Sequence, residues 1–254
     1  MKCGVLIAVK LGAIVALTAI PVSCSGEHEL PTEILVDTLA QSDILLRLER
    51  LPTARESLCS PYDVNDYSYS QSLELEIIVR DMGIYDPYQD EWYQSRDTTD
   101  IEHIISRKEA HESGLCAKPD SVRRNFARDL PFLVLTHMSI NRSKGDRDAA
   151  DWMPLQNRCW FAERVLAIRE QYTLTIDERE KTKLREQIES CGSFSKRMSP
   201  NPFPNLLTDS SKGCGPYANC DALRQDYPDG VSIYHCAYRE QMDRNKDGWI
   251  CADN

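Results

Sequence analysis

After its first two dozen residues, this 254-residue chain has no long apolar run, no internal repeat, no Cys-x-x-Cys pair and no excess of positive charge. Without a second apolar run there is no segment of the roughly 20 residues that a transmembrane helix needs. Without a Cys-x-x-Cys pair a zinc ribbon is disfavoured. The net charge of −10 argues against tight, non-specific binding to nucleic acid. That charge is unevenly spread. Residues 101–170 hold twelve Lys/Arg against ten Asp/Glu, a local +2, and the rest of the chain carries −12. Phosphate attraction is screened beyond about 10 Å, so the local balance governs and cutting of nucleic acid stays open.

The apolar run that is present lies at the start. Lys2, the stretch Val5–Val9, Leu11–Ile20 and then Pro21-Val22-Ser23-Cys24-Ser25-Gly26 follow the order of a secretory signal peptide, read as residues 1–24. Cys24 is a candidate lipid-anchor cysteine, although Pro21 stands where a lipobox wants an aliphatic residue; cleavage after Cys24 is the alternative. Either way the chain is expected to be secreted, periplasmic or held at the cell envelope, without a transmembrane span. Of the ten cysteines, setting aside Cys3 and Cys24 leaves eight: Cys59, Cys116, Cys159, Cys191, Cys214, Cys220, Cys236 and Cys251. An even set in an exported chain reads as a disulfide framework.

Thr32–Leu51 shows helical spacing of its apolar residues, and residues 52–70, rich in Pro, Ser, Asp and Tyr, read as a loop. Ser72–Met82 fits alternation and a helix stopped by Gly83; the helix is preferred. Ile84–Tyr93 reads as a hairpin around Asp86-Pro87-Tyr88-Gln89-Asp90. A strand near Thr98–Ile105, a long polar loop to Pro131, a strand at Phe132–Thr136 and a helix from about Ser139–Asn141 follow. Cys159–Tyr172 and Asp177–Cys191 form two longer helices, the second with Glu180 in the capping-box position. If these two make an antiparallel hairpin, Cys159 and Cys191 meet at its open end. In the C-terminal segment Cys220–Cys251 is the expected pair, leaving Cys214–Cys236; Cys59–Cys116 then follows by elimination.

The chemistry concentrates between Asp100 and Trp152. Hydrolysis of a phosphodiester needs a base for water and a cation for the developing charge. Glu102 directly before His103 offers a metal-holding carboxylate and a proton acceptor at one strand end, and Asn141 at a helix start offers an amide oxygen. Such oxygen ligands favour a hard ion, Mg²⁺ or Mn²⁺. Arg142 and Lys144 are candidates to grip flanking phosphates. Asp100 is either a third acidic ligand or simply solvated. His111 and His137 are weaker candidates, the first placed in the loop at the surface. Asp148 reads as a turn cap, and Trp152 and Trp160 as core residues.

The run Tyr85–Cys191 resembles the secreted bacterial branch of the HNH nucleases, related to the GmrSD restriction enzymes. The pieces are Ile84-Tyr85-Asp86-Pro87-Tyr88 with Trp92, Asp100-Ile101-Glu102-His103-Ile104, Glu109-Ala110-His111, Ser113-Gly114-Leu115-Cys116, Asn141-Arg142-Ser143-Lys144-Gly145-Asp146, Asp148-Ala149-Ala150-Asp151-Trp152 and Cys159-Trp160-Phe161-Ala162. The resemblance implies a ββα-metal site with His103 as general base and Glu102 and Asn141 as metal ligands. One departure stands out. The family places a histidine-orienting asparagine nine residues before the helix ligand, where this chain has Phe132; Asp129, three residues away, is a conceivable substitute.

At the C-terminus, Asp243-Arg244-Asn245-Lys246-Asp247-Gly248-Trp249 matches the first half of an EF-hand-type calcium loop, with side-chain oxygens at positions one, three and five, the turn glycine at six, and Trp249 at seven. The bidentate glutamate of position twelve is absent; Asn254 stands there. The segment resembles the Excalibur calcium-binding module, through Asn219-Cys220, Tyr238 and the Asp-x-Asn-x-Asp-Gly-x-x-Cys ending, with Ala252 and Asp253 where that family has an acid directly after the cysteine. Weak, extracellular-class calcium affinity is expected.

The expected architecture is therefore α+β: a ββα-metal nuclease core with surrounding helices over 27–192, a linker at 193–213, and a small disulfide-rich calcium-loop domain at 214–254. The expected function is metal-dependent endonuclease cleavage of DNA, with RNA as the second substrate. The competing expectation is a non-catalytic calcium-binding envelope or adhesion protein on a degenerate nuclease fold.

Overall fold

The computed structural model of the chain describes residues 32–57, 59–70 and 72–252, with 32–39 described by their backbone. The expected signal peptide, Cys24, Asp253 and Asn254 lie outside the described residues. The fold is α+β, with helices around small antiparallel sheets and four disulfides. No helix among the described residues is long and apolar enough to cross a membrane.

Helix α1 (Thr32–Arg50) buries Ile44 and Leu48, one turn apart, and the chain then buries Leu51. Helix α2 (Leu73–Asp81) ends where Met82 takes a left-handed conformation and Gly83 follows at φ 148°, which stops the helix. Strands β1 (Ile84–Asp86) and β2 (Glu91–Tyr93) form the expected hairpin, with Asp86 opposite Glu91. Asp86 is fully buried and fixes this hairpin to the sheet behind it. Its Oδ1 accepts from the Tyr88 amide at 2.8 Å; its Oδ2 accepts from Thr136 Oγ1 at 2.7 Å and the His137 amide at 3.0 Å.

Strand β3 (Thr99–His103) leads into a stretch that is not a polar loop: helices α3 (Arg107–Glu112) and α4 (Asp120–Ala127) occupy it. Ser106 Oγ caps α3 by accepting from the Glu109 amide at 3.0 Å. Strand β4 (Leu133–His137) pairs antiparallel with β3, His103 opposite Leu133 and Thr99 opposite His137. Side chains alternate across a strand. Accordingly Val134 enters the main core, while Leu133 and Leu135 enter a second core under α2. Helix α5 (Met138–Lys144) follows β4 directly.

Helices α6 (Arg158–Tyr172) and α7 (Glu178–Glu189) bury Phe161, Val165, Ile168 and Tyr172 from one and Leu184 and Ile188 from the other. Asp177 caps α7 through the Arg179 and Glu180 amides, at 2.7 and 2.9 Å. Glu180 does not close a capping box. Its carboxylate turns inward to the fully buried Arg169, which also donates to Glu109 Oε1 at 2.8 Å. An unpaired buried guanidinium would be costly; two carboxylates, the Thr175 carbonyl and Ser113 Oγ take its Nη donors, while its buried Nε has no partner among the described residues. Gln41 of α1 donates to the Ile188, Glu189 and Cys191 carbonyls at 3.0–3.1 Å, which ties α1 to the end of α7.

The disulfides join Cys159 to Cys191, Cys220 to Cys251, Cys214 to Cys236 and Cys59 to Cys116, the pairs expected from the sequence. Residues 193–213 run against the β1–β2 hairpin. The Trp92 indole donates to Ser199 O at 2.9 Å, Tyr85 OH to Arg197 O at 2.6 Å, and the Ser199 amide to Asp90 Oδ1 at 2.7 Å. The C-terminal segment holds helix α8 (Cys220–Arg224) and the pair β5 (Val231–Ser232) and β6 (Trp249–Ile250). Trp249 enters the second core beside Leu73, Leu75, Ile77 and Leu135.

Candidate active site

The end of β3, the start of α3 and the inner side of α5 enclose a cavity of about 160 Å³, whose lining includes Glu102, His103, Arg107, Asn141 and Asp146. Three residues expected from the sequence to act together are thus brought together.

His103 is 6 % exposed and its Nε2 lies 3.0 Å from the Ala127 carbonyl oxygen at the end of α4. A carbonyl only accepts, so Nε2 carries the proton and Nδ1 keeps the lone pair. The ring is stacked against Phe126, with centroids 6.0 Å apart at 17°, and Tyr69 lies 5.8 Å away. Burial lowers the His103 pKa to about 3, and the nearby Arg107 charge adds to the shift while the Ala127 hydrogen bond opposes it. The imidazole is therefore neutral at neutral pH, the form a proton acceptor needs.

Ala127 answers the departure at Phe132. Phe132 is buried in the main core, its ring 6.5 Å from that of Tyr172, and plays no orienting part. Asp129 does not replace the missing asparagine. Its Oδ2 accepts from Gln171 Nε2 and Tyr172 OH, both at 2.6 Å, which ties it to α6. The orienting group is a main-chain oxygen, invisible in side-chain identity.

Glu102 is 5 % exposed and its Oε1 lies 2.6 Å from Lys144 Nζ; beyond that ion pair Oε1 accepts no aligned hydrogen bond among the described residues. Burial raises the Glu102 pKa, against the pull of Lys144. Lys144, 1 % exposed, also donates to the His103 carbonyl at 3.1 Å. The expectation that Lys144 grips phosphate is corrected: its ammonium is buried beneath the carboxylate and cannot project outward. Arg142 is exposed on α5 and does not line the cavity. Asn141 Nδ2 donates to Asp100 Oδ2 at 3.3 Å, so its Oδ1 is the atom left to a cation, and half-buried Asp100 sets its orientation. A buried carboxylate oxygen and an amide oxygen on one cavity fit a hard divalent cation.

Two features of the site were missed in the sequence. Arg107 lines the cavity, its guanidinium 5.7 Å from the Tyr69 ring centroid, and it forms no ion pair among the described residues. The signal for it was Ser106-x-x-Glu109, a helix start that places residue 107 in the first turn beside His103. His111 is fully buried, not at the surface. Its Nδ1 lies 2.8 Å from Tyr67 OH and its Nε2 2.9 Å from Ser60 O, which fixes the 52–70 segment to α3. His137 ends β4 and caps α5, its Nδ1 accepting from the Ser139 amide at 3.2 Å, and Asp148 Oδ1 caps the 148–151 turn through the Ala150 and Asp151 amides at 2.9 and 3.0 Å.

The C-terminal loop takes a shape suited to an ion. Lys246 and Gly248 adopt positive φ, 57° and 79°. Asp243 accepts from the Asp247 amide at 3.2 Å and the Gly248 amide at 3.0 Å, and Asp247 Oδ1 accepts from the Trp249 amide at 2.8 Å. These bonds gather the two carboxylates, with Asn245 between them in sequence. A further acidic group, Glu56, Asp148 and Asp177, converges with carboxylate oxygens within 4.8 Å of one another, and each of the two aspartates already caps a turn or helix.

An uncharacterized secreted protein of Arthroderma benhamiae is 28% identical over 111 residues, which is 42% of this chain and 54% of that protein. The chain thus spans about half of that relative's length. No family model matches the chain, and no solved structure does.

Proposed function

We propose that this chain is an exported, metal-dependent endonuclease of the ββα-metal type that hydrolyses phosphodiester bonds in DNA, with RNA as the second substrate to assay. One observation carries the reading: a histidine with its tautomer set by Ala127 O shares a cavity with the Glu102 carboxylate and the Asn141 amide. Four disulfides and the secreted relative support export to an oxidising compartment.

Glu102 and Asn141 would hold Mg²⁺ or Mn²⁺, which supplies positive charge against the anion that develops during phosphodiester cleavage. His103 Nδ1 takes the proton of the attacking water. Asp100 orients Asn141, and Lys144 balances Glu102 from below. Arg107, rather than Lys144, is the cation that meets substrate phosphate; Tyr69 steadies its guanidinium and no carboxylate competes for it among the described residues. The C-terminal loop binds calcium through Asp243, Asn245 and Asp247 with the Trp249 carbonyl, at the weak extracellular level of roughly 10⁻⁴–10⁻³ M.

The test is plasmid cleavage by purified protein with Mg²⁺ or Mn²⁺. His103→Ala should lose roughly 10²–10⁴-fold in rate at every metal concentration. Glu102→Ala should be partly restored by excess metal. One observation favours a second reading, a calcium-binding envelope or adhesion protein on a degenerate nuclease fold: Lys144 already neutralises Glu102. Wild-type protein that cuts neither DNA nor RNA with any divalent ion would establish that alternative.

A further inference from the structure

The calcium loop does not turn its carboxylates to solvent. Asp243 and Asp247 are buried, 7 % and 4 % exposed, and Asp247 faces the segment that enters β3. Arg96 stands there, in the single 3-10 turn Arg96–Thr98 immediately before the strand that carries Glu102 and His103. Its Nη2 donates to Asp247 Oδ2 at 2.9 Å and its Nη1 to Glu74 Oε2 of α2 at 3.1 Å. The same guanidinium lies 5.2 Å from the Trp249 ring centroid. Asn245 Nδ2 adds a second donor to Asp247 Oδ2 at 3.1 Å. The carboxylate at position five of the loop is therefore already bound to a cation, and that cation belongs to the other part of the molecule.

We infer that Arg96 and calcium compete for Asp247, which makes the C-terminal loop a calcium-responsive latch on the domain that holds the candidate active site. Without calcium, Arg96 joins Asp247 to Glu74 and seats Trp249 in the core under α2. With calcium, Asp247 turns to the ion, Arg96 keeps its bond to Glu74, and the seating of Trp249 loosens. A ligand shifts such an equilibrium only by binding one state better, and calcium prefers the state in which Asp247 is free. Glu74 eases the exchange, because it keeps a carboxylate on the buried Arg96 when Asp247 leaves. The latch rests on the calcium reading proposed above.

Calorimetric titration of the whole chain with calcium alone, beside hydrogen exchange of α2 and Trp249–Ile250, tests this. Coupling between linked sites typically spans 5–150-fold, so Arg96→Gln should bind calcium about tenfold more tightly than wild type. Glu74→Gln, at a partly exposed position, should bind calcium more weakly, since Arg96 loses the Glu74 carboxylate and holds Asp247 more firmly. Calcium should speed exchange in α2 and at Trp249–Ile250 of the wild type. Equal calcium affinity in wild type and both variants would overturn the latch while leaving the calcium site standing. Calcium that slows exchange in these segments would overturn it too, marking Arg96 as a fixed clamp. If neither wild type nor Arg96→Gln binds calcium at about 10 mM, well above the weak extracellular class, the calcium reading fails and the latch falls with it.

Discussion

His103 holds its proton on Nε2 because its neighbour at 3.0 Å, Ala127 O, has no proton to offer. That changes what Phe132 means. Since the carbonyl already orients the ring, Phe132→Asn has nothing to restore; it empties a core position beside Tyr172. Loss of a buried phenylalanine costs about 3–5 kcal/mol. The expected outcome is a lower denaturation midpoint with no gain in cleavage rate per folded molecule; a faster folded variant would show that Ala127 leaves the imidazole poorly oriented. Arg107→Gln should behave differently. A hydrogen bond to a charged group contributes about 1.5–3 kcal/mol, so KM for DNA should rise roughly 10- to 100-fold while kcat changes less. The slope of binding against salt should fall by about 1, the signature of one lost phosphate contact. An unchanged KM would remove Arg107 from the substrate site. The acid behaviour of the fold also turns on His103. Its folded pKa, about 3, lies below the ordinary histidine value of 6.5, so only the unfolded chain takes up this proton between the two. The contribution to stability is complete above pH 6.5 and is lost as pH falls toward 3. Urea midpoints of wild type and His103→Gln should converge across that window. Parallel curves would show that His103 is readily protonated in the folded state.

Elements were readable where burial is periodic. Phe161, Val165, Ile168 and Tyr172 repeat at helical spacing and mark α6, and the Asp86–Asp90 turn marks the β1–β2 hairpin. Helices α3 and α4 were hidden because charge outweighs apolar spacing in both: α3 buries Ala110 along with Glu109 and His111, and α4 buries only Phe126 and Ala127. Their polar residues look like loop until Arg169 arrives from α6 to meet Glu109, a contact 60 residues away in sequence. The site was legible to the same degree. Glu102, His103 and Asn141 could be named from residue type and order, whereas Ala127 O and the burial of Lys144 follow only from packing. The hairpin of α6 and α7 is closed by Cys159–Cys191, 32 residues apart. On the chain-entropy view a loop of that size is worth roughly 3–4 kcal/mol. Replacing both cysteines by serine should therefore lower stability by about that much, read as a shift in the denaturation midpoint. A change below about 1 kcal/mol would show that Gln41 and the buried Arg169 cluster hold the hairpin without the covalent link.

At the scale of the whole molecule, sequence composition divides the chain at 193–213, yet packing does not treat that segment as a free tether. Ser199 and Arg197 are bonded to the β1–β2 hairpin, and Leu206, Leu207 and Ala252 pack against the core under α2. Trp249 belongs to that same core and is 6 % exposed; its indole donates to Asp229 O at 2.9 Å. A side chain of the C-terminal segment is thus part of the hydrophobic support of β4, whose Leu133 stands opposite His103. Burying one set of apolar side chains jointly ties the two parts into one cooperative unit, because neither can expose its face without the other losing burial. The wild-type chain with its disulfides intact should therefore melt in a single calorimetric transition. Trp249→Ala removes the largest shared side chain, a loss on the order of 3–5 kcal/mol. It should split that transition in two, the earlier one belonging to residues 214–252. Calorimetry with the calorimetric and van't Hoff enthalpies compared decides the point. Two transitions in the wild type would mean that the C-terminal segment folds as a separate body and that Trp249 merely rests on its neighbour. A single transition in Trp249→Ala would move the weight of the junction onto Arg96 with Glu74 and Asp247.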